Sequence, residues 1–236
     1  MQDLRLFDVA GSGVMVNLAG ATLEAYNRWA PLYPPVAHNP LMRAEQRMML
    51  EHWPEVAGRR ALDLAAGTGR YSRLLADTHA ADIVAVDFCA PMLAQLSAAR
   101  RVCASMMQLP FASGAFDLIV SGLALGHAPD VGAWMTEIAR VLSKGGTLLY
   151  SDFHPEAARL GLPRTFKDEN ARTWTVPHRC HELASQKEAA AAAGLTVEAI
   201  REVRVGFELR ERFAQSEEFY HRWHGLPIVL VVRARK

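Results

Sequence analysis

Two glycines and an aspartate are the residues whose types and spacing first suggest chemistry. The run Ala61-Leu62-Asp63-Leu64 leads into Ala65-Ala66-Gly67-Thr68-Gly69, and a helical pattern through Tyr71, Leu74 and Leu75 follows. Glycine lets backbone turn tightly and approach a bound molecule, and the N–H groups that open a helix favour negative charge. Asp87 stands 20 residues after Gly67 and closes the next apolar run, Ile83-Val84-Ala85-Val86. A carboxylate at that point accepts both hydroxyls of a ribose. Taken alone, these features fit a nicotinamide or flavin site, or a tight turn with no ligand. A Rossmann oxidoreductase would carry a third motif glycine where Ser72 stands.

Proton transfer near neutral pH calls for histidine. His127 follows the apolar run 116–120 and His154 follows 147–151, so each is a candidate base or a ring that only bonds a loop. His178-Arg179-Cys180-His181 offers adjacent ligands without a second pair, a poor zinc pattern, and no metal is expected. The stretch 153–181 holds Arg159, Arg164, Lys167, Arg172 and Arg179 against Glu156, Asp168 and Glu169, beside Phe153, Phe166 and Trp174. It suits an acidic, partly aromatic small molecule, or else it is a solvated charged loop.

The elements that must position these groups alternate in type. From residue 60 to about 150, short apolar runs alternate with amphipathic segments, the signature of βαβ units and a parallel sheet. Strands are expected at 61–64, 83–86, near 101–104, at 116–120 and at 147–151, with Asp130 capping a helix that Gly145-Gly146 ends. A helix over 182–193 stops at Gly194, and 196–205 and 228–232 read as the last two strands. Helices near 22–31 and 41–53 precede the alternation. Ligands of open α/β sheets bind at the carboxyl ends of the strands, where long connections serve as lids or walls. The expected division is one domain, 1–236: a cap at 1–55, a binding core at 56–152, a lid-like insert at 153–181 and the C-terminal part of the sheet at 182–236.

Half of the 236 residues are apolar and 22% are charged, which allows a substantial core. The 26 basic and 25 acidic side chains leave no basic excess to grip phosphates, so nucleic acid is not an expected partner. Three cysteines without Cys-x-x-Cys spacing point to a reducing compartment. Asp3 and Asp8 argue against a signal peptide, and charge or glycine breaks every long apolar run, so a cytoplasmic chain without membrane spans is expected.

The combination of motifs is more specific than any one of them. Leu62-Asp63-Leu64-Ala65-Ala66-Gly67-Thr68-Gly69-Arg70 resembles the first motif of class I S-adenosylmethionine-dependent methyltransferases, with Ala65 where that family more often has glycine. Val86-Asp87-Phe88-Cys89-Ala90-Pro91-Met92-Leu93 resembles the second. Leu109-Pro110-Phe111, Phe116-Asp117-Leu118-Ile119-Val120-Ser121 and Glu137-x-x-Arg140-Val141-Leu142-x-x-Gly145-Gly146 resemble the later ones, in order, within 60–152. The small-molecule branch, which includes quinone-pathway and malonyl-carrier-protein methyltransferases, is the most similar.

The resemblance implies a Rossmann-like α/β fold. Its seven-stranded, mostly parallel sheet would carry helices on both faces, an N-terminal helical cap and inserts after strands 5 and 6. It implies S-adenosyl-L-methionine as cofactor, S-adenosyl-L-homocysteine as product, and O- or C-methylation of a small molecule. By that likeness Ala65, Gly67 and Gly69 shape the turn under the methionine part, supported by Asp63. Asp87 holds the ribose, Phe88 and Met92 lie against adenine, and Ser105-Met106 stands where the family often has an aspartate. Ser121 and Gly122 face the sulfonium. The segment from Ala25 to Tyr33 resembles the helix that closes over the cofactor, with Tyr33 near the carboxylate and Arg43 a candidate to pair with it. Ser121-Gly122-Leu123 replaces the Asn/Asp-Pro-Pro-aromatic run of amino-methylating enzymes, so oxygen or carbon is favoured over nitrogen. Carboxyl methylation of an acyl group on a carrier protein is the alternative, ahead of an oxidoreductase or a non-catalytic binding module.

Overall fold

The computed structural model describes residues 18–97, 99–213 and 217–236. Asp3 and Asp8 lie outside the described residues. The strands are β1 (Arg60–Leu64), β2 (Asp82–Asp87), β3 (Arg100–Cys103), β4 (Phe116–Gly122), β5 (Leu142–Phe153), β6 (Thr165–Lys167), β7 (Thr173–Thr175), β8 (Thr196–Arg204) and β9 (Pro227–Arg235). The helices are α1 (Leu18–Trp29), α2 (Pro40–Glu51), α3 (Arg70–Asp77), α4 (Ala90–Ala94), α5 (Val131–Val141), α6 (Pro155–Arg159), α7 (Leu183–Ala192) and α8 (Glu217–Trp223).

Seven strands form one sheet in the order β3-β2-β1-β4-β5-β9-β8, and β6 and β7 form a separate hairpin. The first five are parallel, whereas β9 runs antiparallel to both β5 and β8. The central strands are apolar on both faces because helices cover both: Ala61, Leu62 and Leu64 of β1 and Leu118, Ile119 and Val120 of β4 are fully buried. One face packs on α2 and α3 through Leu41, Met49 and Leu75, the other on α5 through Trp134 and Ile138. Strand order reverses between β1 and β4, which opens a crevice at their carboxyl ends.

One boundary differs from expectation. Asp130 does cap α5, accepting the Ala133 N–H, but Gly145-Gly146 does not end that helix. Buried Leu142 turns extended immediately after Val141 and pairs with Phe116, so the glycines lie inside β5. There Gly145 donates to the Lys236 carbonyl, and a methyl on Gly146 would come 2.8 Å from Leu142.

The crevice has a roof. Trp29 of α1 stacks on Phe166 of the β6–β7 hairpin, with centroids 4.7 Å apart and planes at 7°. Arg28 lies 4.6 Å from the Trp174 ring, and Ala25, Phe166 and Val176 are buried together. Among the described residues, no helix is long and apolar enough to cross a membrane.

Candidate functional site

The floor of the crevice is the turn between β1 and α3. Ala65, Gly67 and Gly69 all have positive φ, at 57°, 56° and 90°. For Ala65 this left-handed backbone costs about 1–2 kcal/mol. A methyl built on Gly69 would sit 2.6 Å from Leu96, while one on Gly67 meets nothing within 4 Å. Gly67 therefore faces open space. Its N–H donates to Asp87 Oδ2 at 2.7 Å, and the Cys89 N–H donates to Oδ1 at 2.8 Å. Burial raises the Asp87 carboxyl above its ordinary range, against the pull of these N–H donors. Asp63 lies beneath the turn, buried, and accepts Ser72 Oγ at 2.7 Å. Burial pushes its carboxyl up to about 6.

Above the floor is a partly open cleft. Phe88 and Met92 form the wall beyond Asp87, and Tyr33, Arg70 and Tyr71 form the middle. Arg70 and Tyr71 are aimed by Glu45 of α2, a fully buried carboxylate that sequence reasoning missed. Glu45 accepts from Arg70 at 2.6 Å, from Tyr71 at 2.7 Å and from Ser151. Burial alone would lower the ionisation of Arg70, but the charges of Glu45 and Tyr71 hold it above its ordinary value. Gly122 lets this pair reach the cleft, since a methyl there would come 2.3 Å from the Tyr71 ring.

The far end belongs to the turn after β4 and to the roof. Leu123 is left-handed at φ 55°, with its N–H on the Ser151 carbonyl at 2.9 Å. Its carbonyl accepts Arg164 Nη2 at 2.7 Å, and the same nitrogen donates to the Tyr26 hydroxyl at 2.9 Å. That hydroxyl lies 2.9 Å from His127 Nε2. Burial, then Arg164 and His178, hold the His127 ring well below its ordinary pKa, so it is neutral at pH 7.

Of the residues named from sequence, Tyr33, Ala65, Gly67, Asp87, Phe88, Met92 and His127 line one cleft. Gly69 and Asp63 shape its floor from behind. Five others do not line it, each for a local reason. Ser121 points into the sheet and donates to the Leu64 carbonyl at 2.9 Å. Ser105 closes its own turn by accepting the Met107 N–H at 3.1 Å, and Met106 packs on the α5-side core. Arg43 is on the outer face of α2, beside a surface groove with Val36 and Arg47. His154 caps α6, its Nδ1 accepting the Glu156 N–H at 3.2 Å, and its Nε2 lies 3.4 Å from Glu202 of β8. His178 and His181 turn to backbone carbonyls, those of Val176 and Ala128.

The chain is similar to known methyltransferases. Residues 62–150 match the family model described as a methyltransferase domain. The malonyl-acyl-carrier-protein O-methyltransferase of Halorhodospira halophila is 35% identical over 144 residues, 58% of this chain and 46% of that protein. The demethylmenaquinone methyltransferase of Beutenbergia cavernae is 38% identical over 100 residues, 41% of each chain. The chain thus spans less than half the length of these relatives. An S-adenosylmethionine-dependent methyltransferase structure from Mesorhizobium loti shares the fold, with TM-score 0.65 and 23% identity, covering 82% of this chain and 98% of that one.

Proposed function

Because residues 62–150 match the family model described as a methyltransferase domain, we propose that the chain moves a methyl group from S-adenosylmethionine to an oxygen or carbon of a small acceptor. The observation that carries this is the floor: an open Gly67 turn hydrogen-bonded to a buried carboxylate on the next strand. The lone pairs of Asp87 suit two ribose hydroxyls, Phe88 and Met92 suit an adenine, and Arg70 beside Tyr33 suits a carboxylate in place of the outward Arg43. Bound S-adenosylmethionine supplies an electrophilic methyl on sulfur. The chain positions the acceptor in line with it, which accounts for much of such catalysis. His127, neutral and bonded to Tyr26, lines this end of the cleft, and an acceptor that arrives already ionised needs no base. The aromatic, basic insert supports an acidic or aromatic acceptor. Likeness to the Halorhodospira enzyme supports a second reading, carboxyl methylation of a carrier-bound acyl group.

Titration calorimetry tests the first step. S-adenosylhomocysteine should bind in the micromolar range, NAD should not, and Asp87→Ala should weaken binding about ten- to a hundred-fold, the range of a lost charge-assisted pair. Unchanged affinity in a folded variant removes the ribose assignment. Transfer of a labelled methyl to a small acid, rather than to an acylated carrier protein, separates the two readings.

A further inference from the structure

The far end of the cleft holds a cation whose hydrogen-bonding capacity is half used. The Arg164 guanidinium donates from Nη2 to the Leu123 carbonyl and the Tyr26 hydroxyl, both uncharged, and its carbon lies 5.2 Å from the Phe153 ring. Nη1 is buried and has no hydrogen-bond partner among the described residues. A buried N–H without an acceptor is costly, and a guanidinium only donates, so the group that satisfies it must accept. The one carboxylate lining the cleft, Asp87, stands at the end of β2, two strand spacings or roughly 10 Å from the end of β4. Asp152 feels the charge of Arg164, and its Oδ1 likewise has no hydrogen-bond partner among the described residues, but it is buried against Gly126 and does not line the cleft.

The other basic residues of the insert face solvent. Arg159 is 3.6 Å from Glu182, Arg172 lies 4.3 Å from the Trp174 ring, and Lys167 and Arg179 are exposed. Only Arg164 brings charge inside.

We propose that Arg164 is a specificity-determining residue and that it selects an acceptor bearing a delocalised oxygen anion (carboxylate, enolate or phenolate) bound at Nη1. Calling that molecule the acceptor rests on the methyl-transfer reading. Its binding does not. An anion on Nη1 lies beside the Tyr26 hydroxyl and His127, flanked by the apolar Leu123 and Ala124, where bulk water competes little.

Ligand-observed NMR titrations of benzoate, 4-nitrophenolate at pH 8.5 and the uncharged benzamide test this, on the protein alone and with S-adenosylhomocysteine. At least one anion should bind ten-fold or more tightly than benzamide. Arg164→Met should abolish that difference, Arg164→Lys should keep part of it, and both should hold S-adenosylhomocysteine within about three-fold of the unaltered chain. Should Arg164→Met melt early, Arg164→Gln, which keeps an amide donor toward Leu123, takes its place. Equal affinity for all three probes, or a preference that survives loss of the guanidinium, overturns the proposal. Preference for benzoate alone assigns carboxylates, and for nitrophenolate alone phenolates or enolates. Failure of S-adenosylhomocysteine to bind removes the methyl-transfer reading, while the anion preference on the protein alone still decides this one.

Discussion

The floor of the cleft comes from one stretch, residues 63 to 92, whereas its roof joins Tyr26 to His127 and Arg164 across 101 and 138 positions. The floor is rigid by construction. A left-handed alanine, a buried carboxylate beneath it and a second carboxylate on Gly67 are each held by groups a few residues or one strand away. The roof is held by ring stacking and one shared guanidinium, contacts that a small rotation of α1 would break. On the proposed reading, the site keeps its cofactor half fixed while its acceptor half opens. Local unfolding free energies within one domain differ in this way.

The largest expected effect strikes the joint beneath both halves. Glu45→Ala would leave Arg70 buried without its counter-charge and remove the acceptor of Tyr71 and Ser151. Breaking a buried pair this way costs about 3–5 kcal/mol in urea unfolding. A loss below about 1 kcal/mol would mean that α2 does not anchor the floor. The next effect belongs to the floor alone. Folding raises the Asp63 carboxyl to about 6 from an ordinary 3.8, so the folded state holds the proton more tightly than the unfolded chain. The stability this contributes is complete below about pH 4 and is lost as pH rises through 6. Asp63→Asn still accepts from Ser72 and never ionises, so at pH 7.5 it should be more stable by up to about 3 kcal/mol, with the gap closing toward pH 4.5. Parallel stability curves for the two proteins would refute this. The smallest effect is confined to the roof. Trp29→Ala removes the stack on Phe166, an interaction worth about 0.5–1.5 kcal/mol beyond its buried area. Amide exchange at 18–33 and 165–175 should speed up about ten-fold while β1 and β4 keep their protection. Equal acceleration everywhere would erase the contrast between floor and roof.

The same contrast explains what the sequence made legible. The chain order of β1 to β5, the glycine turn and the place of Asp87 were readable because period, spacing and turn chemistry are local. Ser121 and His154 were placed at the right strand ends but on the wrong side. Side chains alternate along a strand, so of the expected pair Ser121 and Gly122 only Gly122 meets the cleft, and His154 turns toward β8. Arg164 could not be told from Arg159 or Arg172 because its partners come from α1 and the turn after β4. Glu45 did leave a trace: it lies four residues from both Leu41 and Met49, a charge on the apolar stripe of α2.

The Ser72 hydroxyl on Asp63 bears on how such a site can change over generations. A dinucleotide enzyme wants glycine at that third motif position so that helix and strand pack closely. Here a glycine would strand the Asp63 carboxylate without its side-chain donor, a penalty of about 1–3 kcal/mol, a sizeable part of a domain's margin of 5–15. A step toward the dinucleotide pattern is therefore eased when position 63 changes first: once an uncharged side chain such as asparagine stands there, glycine at position 72 strands no carboxylate, so the order of the two substitutions is set by a hydrogen bond 2.7 Å long.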